Sequence, residues 1–403
     1  MAENPMLASE LFADRLVPRA FPNKKGNSMI RTAVVGLGKM GLSHLAILRT
    51  HPDIDVVAVC DTFGMMLSGL SRYTSLKTYG DYTELLEKQP LDAVLIATPS
   101  RFHGAMVKQA LDKNLHVFCE KPFCLDIAEG RELATMAKNK GVVNQVGYHY
   151  RFLGTFIESK ALLAANLIGK VHHVRAEAYG PVALRAKGMT WRTSKTEGGG
   201  CLFDYACHAI DLVNFLYAVP AAVKGTVLNK IFSNDVDDEV YSTLYFADGA
   251  TGQLATNWSD DSFRKMAMQI TLWGDNGRMR IDRQEIQIYL RNEVSSFANF
   301  RRGWNTHFTT ELTEPVWFYL RGEEYSMQID HFARCIKDRN QTQVSSFETA
   351  VETDVVLAKM LADAKKSPAS VDQGETSVVV NENLPKRGLA ESFKGLLRRP
   401  QSR

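Results

Sequence analysis

The 403-residue chain has no run of about 18 apolar residues, so no stretch of it is long enough to cross a bilayer as a helix. It also lacks a Cys-x-x-Cys pair. The six cysteines (Cys60, Cys119, Cys124, Cys201, Cys207, Cys335) sit mostly in apolar runs and read as buried, reduced thiols rather than a disulfide framework. Strong charge of either sign is absent too. A net charge of +3, with 23% charged and 45% apolar residues, offers no field that would recruit nucleic acid. The N-terminus has no apolar core of about 7 residues, and Arg15 and Arg19 do not form a twin-arginine pair, so the expected location is the cytoplasm. His149, His172 and His173 lack metal-ligand spacing, so no metal is expected, and no repeat of fixed period is visible.

What remains is the profile of an ordinary globular protein too long for one domain of about 100 to 200 residues. Residues 1–29 read as an N-terminal extension, 30–150 as a dinucleotide-binding domain, 151–370 as a second domain, and 371–403 as a basic tail. At Thr32-Ala33-Val34-Val35 a short β-type run breaks into Gly36-Leu37-Gly38-Lys39-Met40-Gly41 and continues as a helix-compatible segment. Glycines at these three places suit a tight turn, a close approach by pyrophosphate, and close packing of helix on strand. The free N–H groups of the helix start would face the phosphates, beside Lys39 and Met40. A second apolar run, Val56 to Cys60, ends in Asp61, twenty residues past Gly41. A carboxylate there accepts hydrogen bonds from ribose hydroxyls and repels a 2′-phosphate. No arginine follows it in Thr62-Phe63-Gly64, so the expected cofactor is NAD rather than NADP.

Further apolar runs carry the alternation of strand and helix onward, as in an open parallel α/β sheet. Ala93 to Ala97 stops at Thr98-Pro99, with His103 just beyond. Leu115 to Cys119 delivers Glu120-Lys121-Pro122, where an ammonium meets the cofactor edge of such a sheet. From about residue 152 the pattern changes to successive strands with glycine turns: 171–178, 222–228, 240–246, 252–258, 268–273 and 278–283. These predict a mainly antiparallel sheet with one open face. The aromatic-rich segment 284–326 reads as an insertion that covers this sheet, shapes the substrate mouth or makes a subunit contact. Helices are expected near 327–337 and 346–364.

Gly198-Gly199-Gly200 precedes a helical register that sets Asp204 and His208 four residues apart, on one face. A carboxylate stacked on an imidazole can fix its tautomer and raise its basicity, which suits proton transfer near neutral pH. On spacing alone a solvated or capping pair is the commoner outcome. Tyr148, Arg151, Trp191 and Arg192 are the candidate wall of a polyhydroxylated-ligand pocket.

The ordered set of Gly36-x-Gly38-x-x-Gly41, Asp61, Thr98-Pro99 with His103, Glu120-Lys121-Pro122, Trp191-Arg192, and the triple glycine with Asp204 and His208 resembles one family. It is that of glucose-fructose oxidoreductase, inositol dehydrogenase and rhizopine catabolism proteins, and the likeness spans roughly residues 30 to 370. The resemblance implies a Rossmann doubly wound parallel sheet followed by an α/β domain with an open sheet, often used for dimer and tetramer contacts. It implies that the glycine turn, Asp61, Thr98, Pro99, His103, Glu120 and Lys121 bind the cofactor. It also implies that Lys121 contacts the substrate hydroxyl, that Asp204 tunes and helps to bind, and that His208 is the acid/base. The expected substrate is a sugar, polyol or nucleotide sugar, handled by a homo-dimer or homo-tetramer. Two other readings stay open: an NAD-sensing regulator without turnover, and an enzyme that recycles tightly bound NAD internally. Residues 386–399 have the pattern of a short basic amphipathic helix, open to docking on a surface or partner, with Gly388 and Gly395 weakening it.

Overall fold

A computed structural model describes residues 29–185, 191–313 and 315–366, within a stretch that forms one compact unit ending at Lys366. The N-terminal extension before residue 29 and the basic C-terminal segment lie outside the described residues.

The first sheet is six-stranded and wholly parallel. Its strands are β1 (Ile30–Val35), β2 (Ile54–Cys60), β3 (Lys77–Tyr79), β4 (Ala93–Ile96), β5 (His116–Cys119) and β6 (Asn144–Val146), in the order β3-β2-β1-β4-β5-β6. The order reverses between β1 and β4, and the crevice that opens there is where ligands settle on such sheets. Side chains of successive strand residues point to opposite faces. Val34, Val59, Leu95 and Phe118 therefore join one apolar cluster, and Ala33, Val35, Val94, Ile96 and Val117 join another. Each face needs a cover, which is why these strands are near-continuous apolar runs. Helix α1 (Lys39–Thr50) lies over the first cluster. Helices α2 (Gly64–Tyr73) and α3 (Tyr82–Lys88) follow in the chain, and α4 (His103–Asp112) and α5 (Ile127–Asn139) lie over the second cluster.

Helix α6 (Gly154–Ala164) leads into the second sheet. Strand β7 (Val171–Tyr179) is its centre, and the short helix α7 (Val182–Arg185) and the helix α8 (Cys207–Leu216) come before the next strand. The remaining strands are β8 (Ala222–Asn229), β9 (Glu239–Tyr245), β10 (Thr251–Asn257), β11 (Ala267–Gly274), β12 (Gly277–Asp282), β13 (Glu285–Leu290) and β14 (Gly303–Phe308). Their order is β14-β13-β12-β11-β7-β10-β9-β8, antiparallel except for the β7–β10 pair. Met268, Ile270, Leu272, Met279, Ile281, Ile286 and Ile288 bury one face against the helices. At about 1.5 to 3 kcal/mol for each fully buried aliphatic side chain, this row alone holds the face shut. On the other face Arg280 bridges Gln269 and Gln287 across three strands, a polar ladder suited to the uncovered side.

Segment 284–326 corrects the expectation of an insertion. Its first half is sheet, since Ile286, Ile288 and Leu290 alternate with Glu285, Gln287 and Tyr289 as strand β13, and β14 extends the edge. The aromatic side chains drew the reading away from that period-two pattern. After a single turn, α9 (Thr309–Leu312), the chain returns to the first sheet. Helix α10 (Glu323–Lys337) packs Phe332 edge-on to Phe118, and α11 (Phe347–Ala364) packs against α5, α8 and β8. All six cysteines are free and buried, as their apolar settings predicted.

Candidate active site

The glycine turn after β1 is built for close approaches. Gly36 sits at φ +86°, and a Cβ there would lie 2.6 Å from the Ala97 carbonyl oxygen. A Cβ on Gly41 would stand 1.7 Å from the Gly36 carbonyl oxygen, so any side chain would drive helix α1 off the strand. Gly38 is the opposite case. Nothing lies within 4 Å of where its Cβ would be, so the backbone at the start of α1 is open to a ligand, and no side chain caps the helix. Asp61 closes the other side. Its two oxygens accept the Leu37 amide at 2.5 Å and the Phe63 amide at 2.8 Å, which pins the carboxylate while leaving lone pairs for ribose hydroxyls. An open backbone approach, a free helix start and a fixed carboxylate together fit a dinucleotide.

These groups line one end of a cavity of about 940 Å³ that continues past Lys39, Met40, Thr98 and Pro99 to Glu120 and Lys121. His103 does not reach it. That imidazole is fully buried, with Nδ1 2.9 Å from the Pro122 carbonyl and Nε2 3.0 Å from the Thr98 carbonyl. It ties together the two loops that line the cavity, and so acts on a cofactor only through them. Glu120 is likewise a support at the cavity wall: one oxygen stands 2.6 Å from His44 Nε2 and the other accepts the Lys121 amide at 3.1 Å. His44, on α1, had no signal in the sequence beyond lying on an apolar helix.

At the far end Lys121 meets the second half of the chain. Its Nζ donates to Asp204 Oδ1 at 2.8 Å and to the Asp204 carbonyl at 3.0 Å, and Arg192 Nε donates to Oδ2 at 2.9 Å. Burial opposes the charge on Asp204, but the two cations win and hold its carboxyl at about 2. On Lys121, too, burial works against the charge, and Asp204 more than offsets it, so the ammonium is held more firmly than usual. The side chain of Trp191, which opens the short helix Trp191–Thr193, lies outside what the structure describes.

Asp204 and His208 do not form the expected stacked pair. Leu202–Ala206 is a π-helical turn, so four residues fall short of a full turn, and Asp204 is directed to Lys121 and Arg192 instead of the imidazole. Asp237 holds this turn from outside: its carbonyl accepts the Cys201 amide at 2.9 Å and its carboxylate the Leu202 amide at 2.7 Å. His208 stands among aromatic edges, 5.0 Å from the His149 ring centre and 5.5 Å from that of Tyr150. Burial, helped by Lys121 and His149, pushes its pKa well below the usual histidine value, so the ring is neutral at neutral pH. Nδ1 is buried without a partner, which leaves Nε2 as the nitrogen a ligand can reach.

Two expected wall residues are placed differently, and for one reason. Residues His149–Phe152 form a 3-10 turn, in which residues three apart share a side. Tyr148 and Arg151 turn inward together, and His149 and Tyr150 line the cavity in their stead. Arg151 is consumed by Asp211, at 2.7 and 2.8 Å, and by the Val344 carbonyl at 2.7 Å. Arg283, Arg321 and Tyr325 complete this end of the cavity. Arg321 and Tyr325 come from segment 284–326, for which shaping the substrate mouth was one expectation without any residue named. Arg283 stands at the end of the predicted strand 278–283, where nothing in the sequence marked it.

Comparisons with known proteins identify the family and the fold. Residues 30–148 match the model described as "Oxidoreductase family, NAD-binding Rossmann fold", and residues 156–280 match that of the GFO/IDH/MocA C-terminal domain. The chain is 24% identical to scyllo-inositol 2-dehydrogenase (NAD(+)) of Bacillus subtilis over 350 residues, 85% of this chain and 96% of that protein. It is 24% identical to D-glucoside 3-dehydrogenase of Escherichia coli, over 62% of this chain and 76% of that one. Levoglucosan dehydrogenase in complex with NADH and levoglucosan has the same fold, with a TM-score of 0.74 at 21% identity, covering 84% of this chain and 98% of the other.

Proposed function

The chain belongs to the GFO/IDH/MocA family of NAD-binding oxidoreductases, and from that premise we propose that it oxidises or re-forms one secondary hydroxyl of a sugar or polyol, with Lys121, Asp204 and His208 at the reacting centre. The observation that carries the reading is the meeting, in one cavity, of a dinucleotide-shaped backbone opening at Gly38 with an ammonium fixed on a carboxylate and a neutral imidazole.

Each residue has a task that follows from its surroundings. Gly38, Asp61 and the start of α1 would hold NAD, whose nicotinamide supplies the hydride acceptor when bound. His208 is neutral, so Nε2 can take the hydroxyl proton as the carbon–hydrogen bond breaks, and can return it in the reverse direction. Lys121 stays charged through Asp204, and a permanent donor there favours the alkoxide-like oxygen over the neutral hydroxyl. Asp204 fixes the position and charge of Lys121 rather than the tautomer of His208. The rings of His149 and Tyr150, edge-on to His208 and lining the cavity, would exclude water from the reacting hydroxyl.

The test is NADH formation at 340 nm with hexoses, inositols, glucosides and sugar phosphates. One class should reduce NAD⁺ with the native protein and not with Lys121→Ala. Turnover that survives in Lys121→Ala unchanged would remove this centre from the chemistry.

A further inference from the structure

The wall of the cavity beyond His149 carries more positive charge than its carboxylates neutralise. Arg283 donates to both oxygens of the buried Glu324, at 2.7 and 2.8 Å. Gly322 closes over that pair: a Cβ there would stand 2.0 Å from Arg283 Nη2 and 2.3 Å from a Glu324 oxygen, and the residue sits at φ +149°. Its neighbour Arg321, itself at φ +69°, is thereby brought to the same wall, with its guanidinium 5.3 Å from the centre of the Tyr325 ring. Among the described residues no carboxylate pairs with Arg321. The carboxylates lining the cavity are committed elsewhere: Asp204 to Lys121 and Arg192, Glu120 to His44, Asp61 to two backbone amides, and Asp81 to the amide of Glu84. Two guanidinium groups thus stand beside Tyr325 with one carboxylate to balance them, and that carboxylate is held by Arg283.

His149 registers the same imbalance. Burial, then Lys121, Arg283 and Arg321 acting against the pull of Glu120, push it to about 3. Arg321 is itself exposed, so the free protein tolerates its charge, and an incoming anion meets a cation that no described carboxylate neutralises, beside the Tyr325 side chain.

We propose that the substrate carries an anionic oxygen group, a carboxylate or a phosphate ester, and that Arg321, with Arg283 beside it, forms the subsite that binds it. The guanidinium fork matches two oxygens of either group. The inference deepens the oxidoreductase reading and rests on it for the position of the reacting carbon. The His149 ring centre lies 5.0 Å from that of His208 and 4.5 Å from that of Tyr325, so the anion sits across the sugar from the hydroxyl that faces His208.

The test is calorimetric titration of the full-length, NADH-loaded protein with glucose, glucuronate, glucose 6-phosphate and inorganic phosphate, beside Arg321→Ala and Arg321→Lys. At least one anionic sugar should bind ten-fold or more tighter than glucose, with the preference weakened by salt. Arg321→Ala should erase the preference, Arg321→Lys should keep part of it, and both should hold NADH as the native protein does. Whichever of glucuronate and glucose 6-phosphate binds tighter identifies the group. No anionic preference, a preference that survives Arg321→Ala, or a loss confined to NADH affinity would each overturn the proposal. Tight anionic binding with no absorbance change at 340 nm for any sugar would leave the subsite standing and sink the oxidoreductase reading instead.

Discussion

Asp204 and Asp211 lie on one continuous helical stretch, Leu202 to Leu216, and each is a buried carboxylate paired with arginine. Their surroundings make them different objects. Asp204 meets Lys121 and Arg192, both of which face the cavity, and the two cations overcome burial to hold its carboxyl at about 2. Asp211 has Arg151 as its one ion-pair partner among the described residues, with side-chain exposures of 1% and 3%, and burial outweighs the guanidinium so that its carboxyl is raised above the usual value. A carboxylate that shares its cations with a cavity organises charge for a ligand. One enclosed with its cation fixes the packing of α8 on the 3-10 turn and on α11, where Thr349 and Thr353 also reach the pair.

The sharpest way to break the comparison is to remove the imidazole near one carboxylate and the cation of the other. His208→Ala, beside the Asp204 group, should lower kcat by about 10² to 10⁴ while leaving the melting temperature within a few degrees if, as proposed, His208 transfers the proton. Arg151→Ala should do the reverse. It strands the Asp211 charge in the interior, at about 3 to 5 kcal/mol of stability, and the protein that remains folded should keep its kcat. Denaturant unfolding and single-turnover rates on the same samples would decide. A loss of rate without a loss of stability in Arg151→Ala would place that residue back in the site.

The first sheet was legible because its strands are short apolar runs that end in residues with chemistry, and Asp61, Thr98 and Lys121 were each readable at such an end. The glycine turn was legible for the same reason that it works, since a Cβ at Gly36 or Gly41 has nowhere to go. The departures have local causes. The stacking of Asp204 on His208 was read from an α-helical period that a π turn replaces, and Tyr148 and Arg151 were placed on the wall by residue type alone, whereas a 3-10 turn directs them inward. Neither turn leaves a mark in composition. The wall of Arg283, Arg321 and Tyr325 is assembled from the residue just after β12, the segment after α9, and α10, which only the tertiary fold brings together.

Titration sharpens the comparison from another side. Asp204 has its folded pKa below the unfolded value of 3.8, so its contribution is complete above about pH 4 and disappears as the pH falls toward 2. That window holds about 2 kcal/mol. Asp354, on α11, behaves in the opposite sense. Burial, with Asp211 adding to it against the Cys124 amide, raises its carboxyl to about 8. Between about pH 4 and 8 the folded chain therefore keeps a proton that the unfolded chain has lost, and stability falls as the pH rises. Asp354→Asn should flatten the melting temperature across that range and leave the acid limb below pH 4 unchanged. An unaltered slope between pH 5 and 8 would show that Asp354 is ionised in the fold.

The smallest effect expected is at Tyr148, where the comparison reaches its limit. Its hydroxyl is buried without a partner, and its ring lies edge-on to His208 with centres 5.8 Å apart. A buried polar group with no partner costs about 1 to 3 kcal/mol, whereas the ring is apolar surface that packs whether or not it carries the oxygen. Tyr148→Phe should therefore leave the protein as stable as before or up to about 1 kcal/mol more stable, with kcat/KM within about two-fold. His208 Nδ1 is the other orphan atom nearby, and proton uptake at Nε2 requires Nδ1 to carry the hydrogen. If Tyr148→Phe instead lowers kcat by ten-fold or more and shifts the pH profile at unchanged stability, then Tyr148 sets the tautomer of His208. The enclosed side of the helix would then hold a positioning residue as well as a packing one.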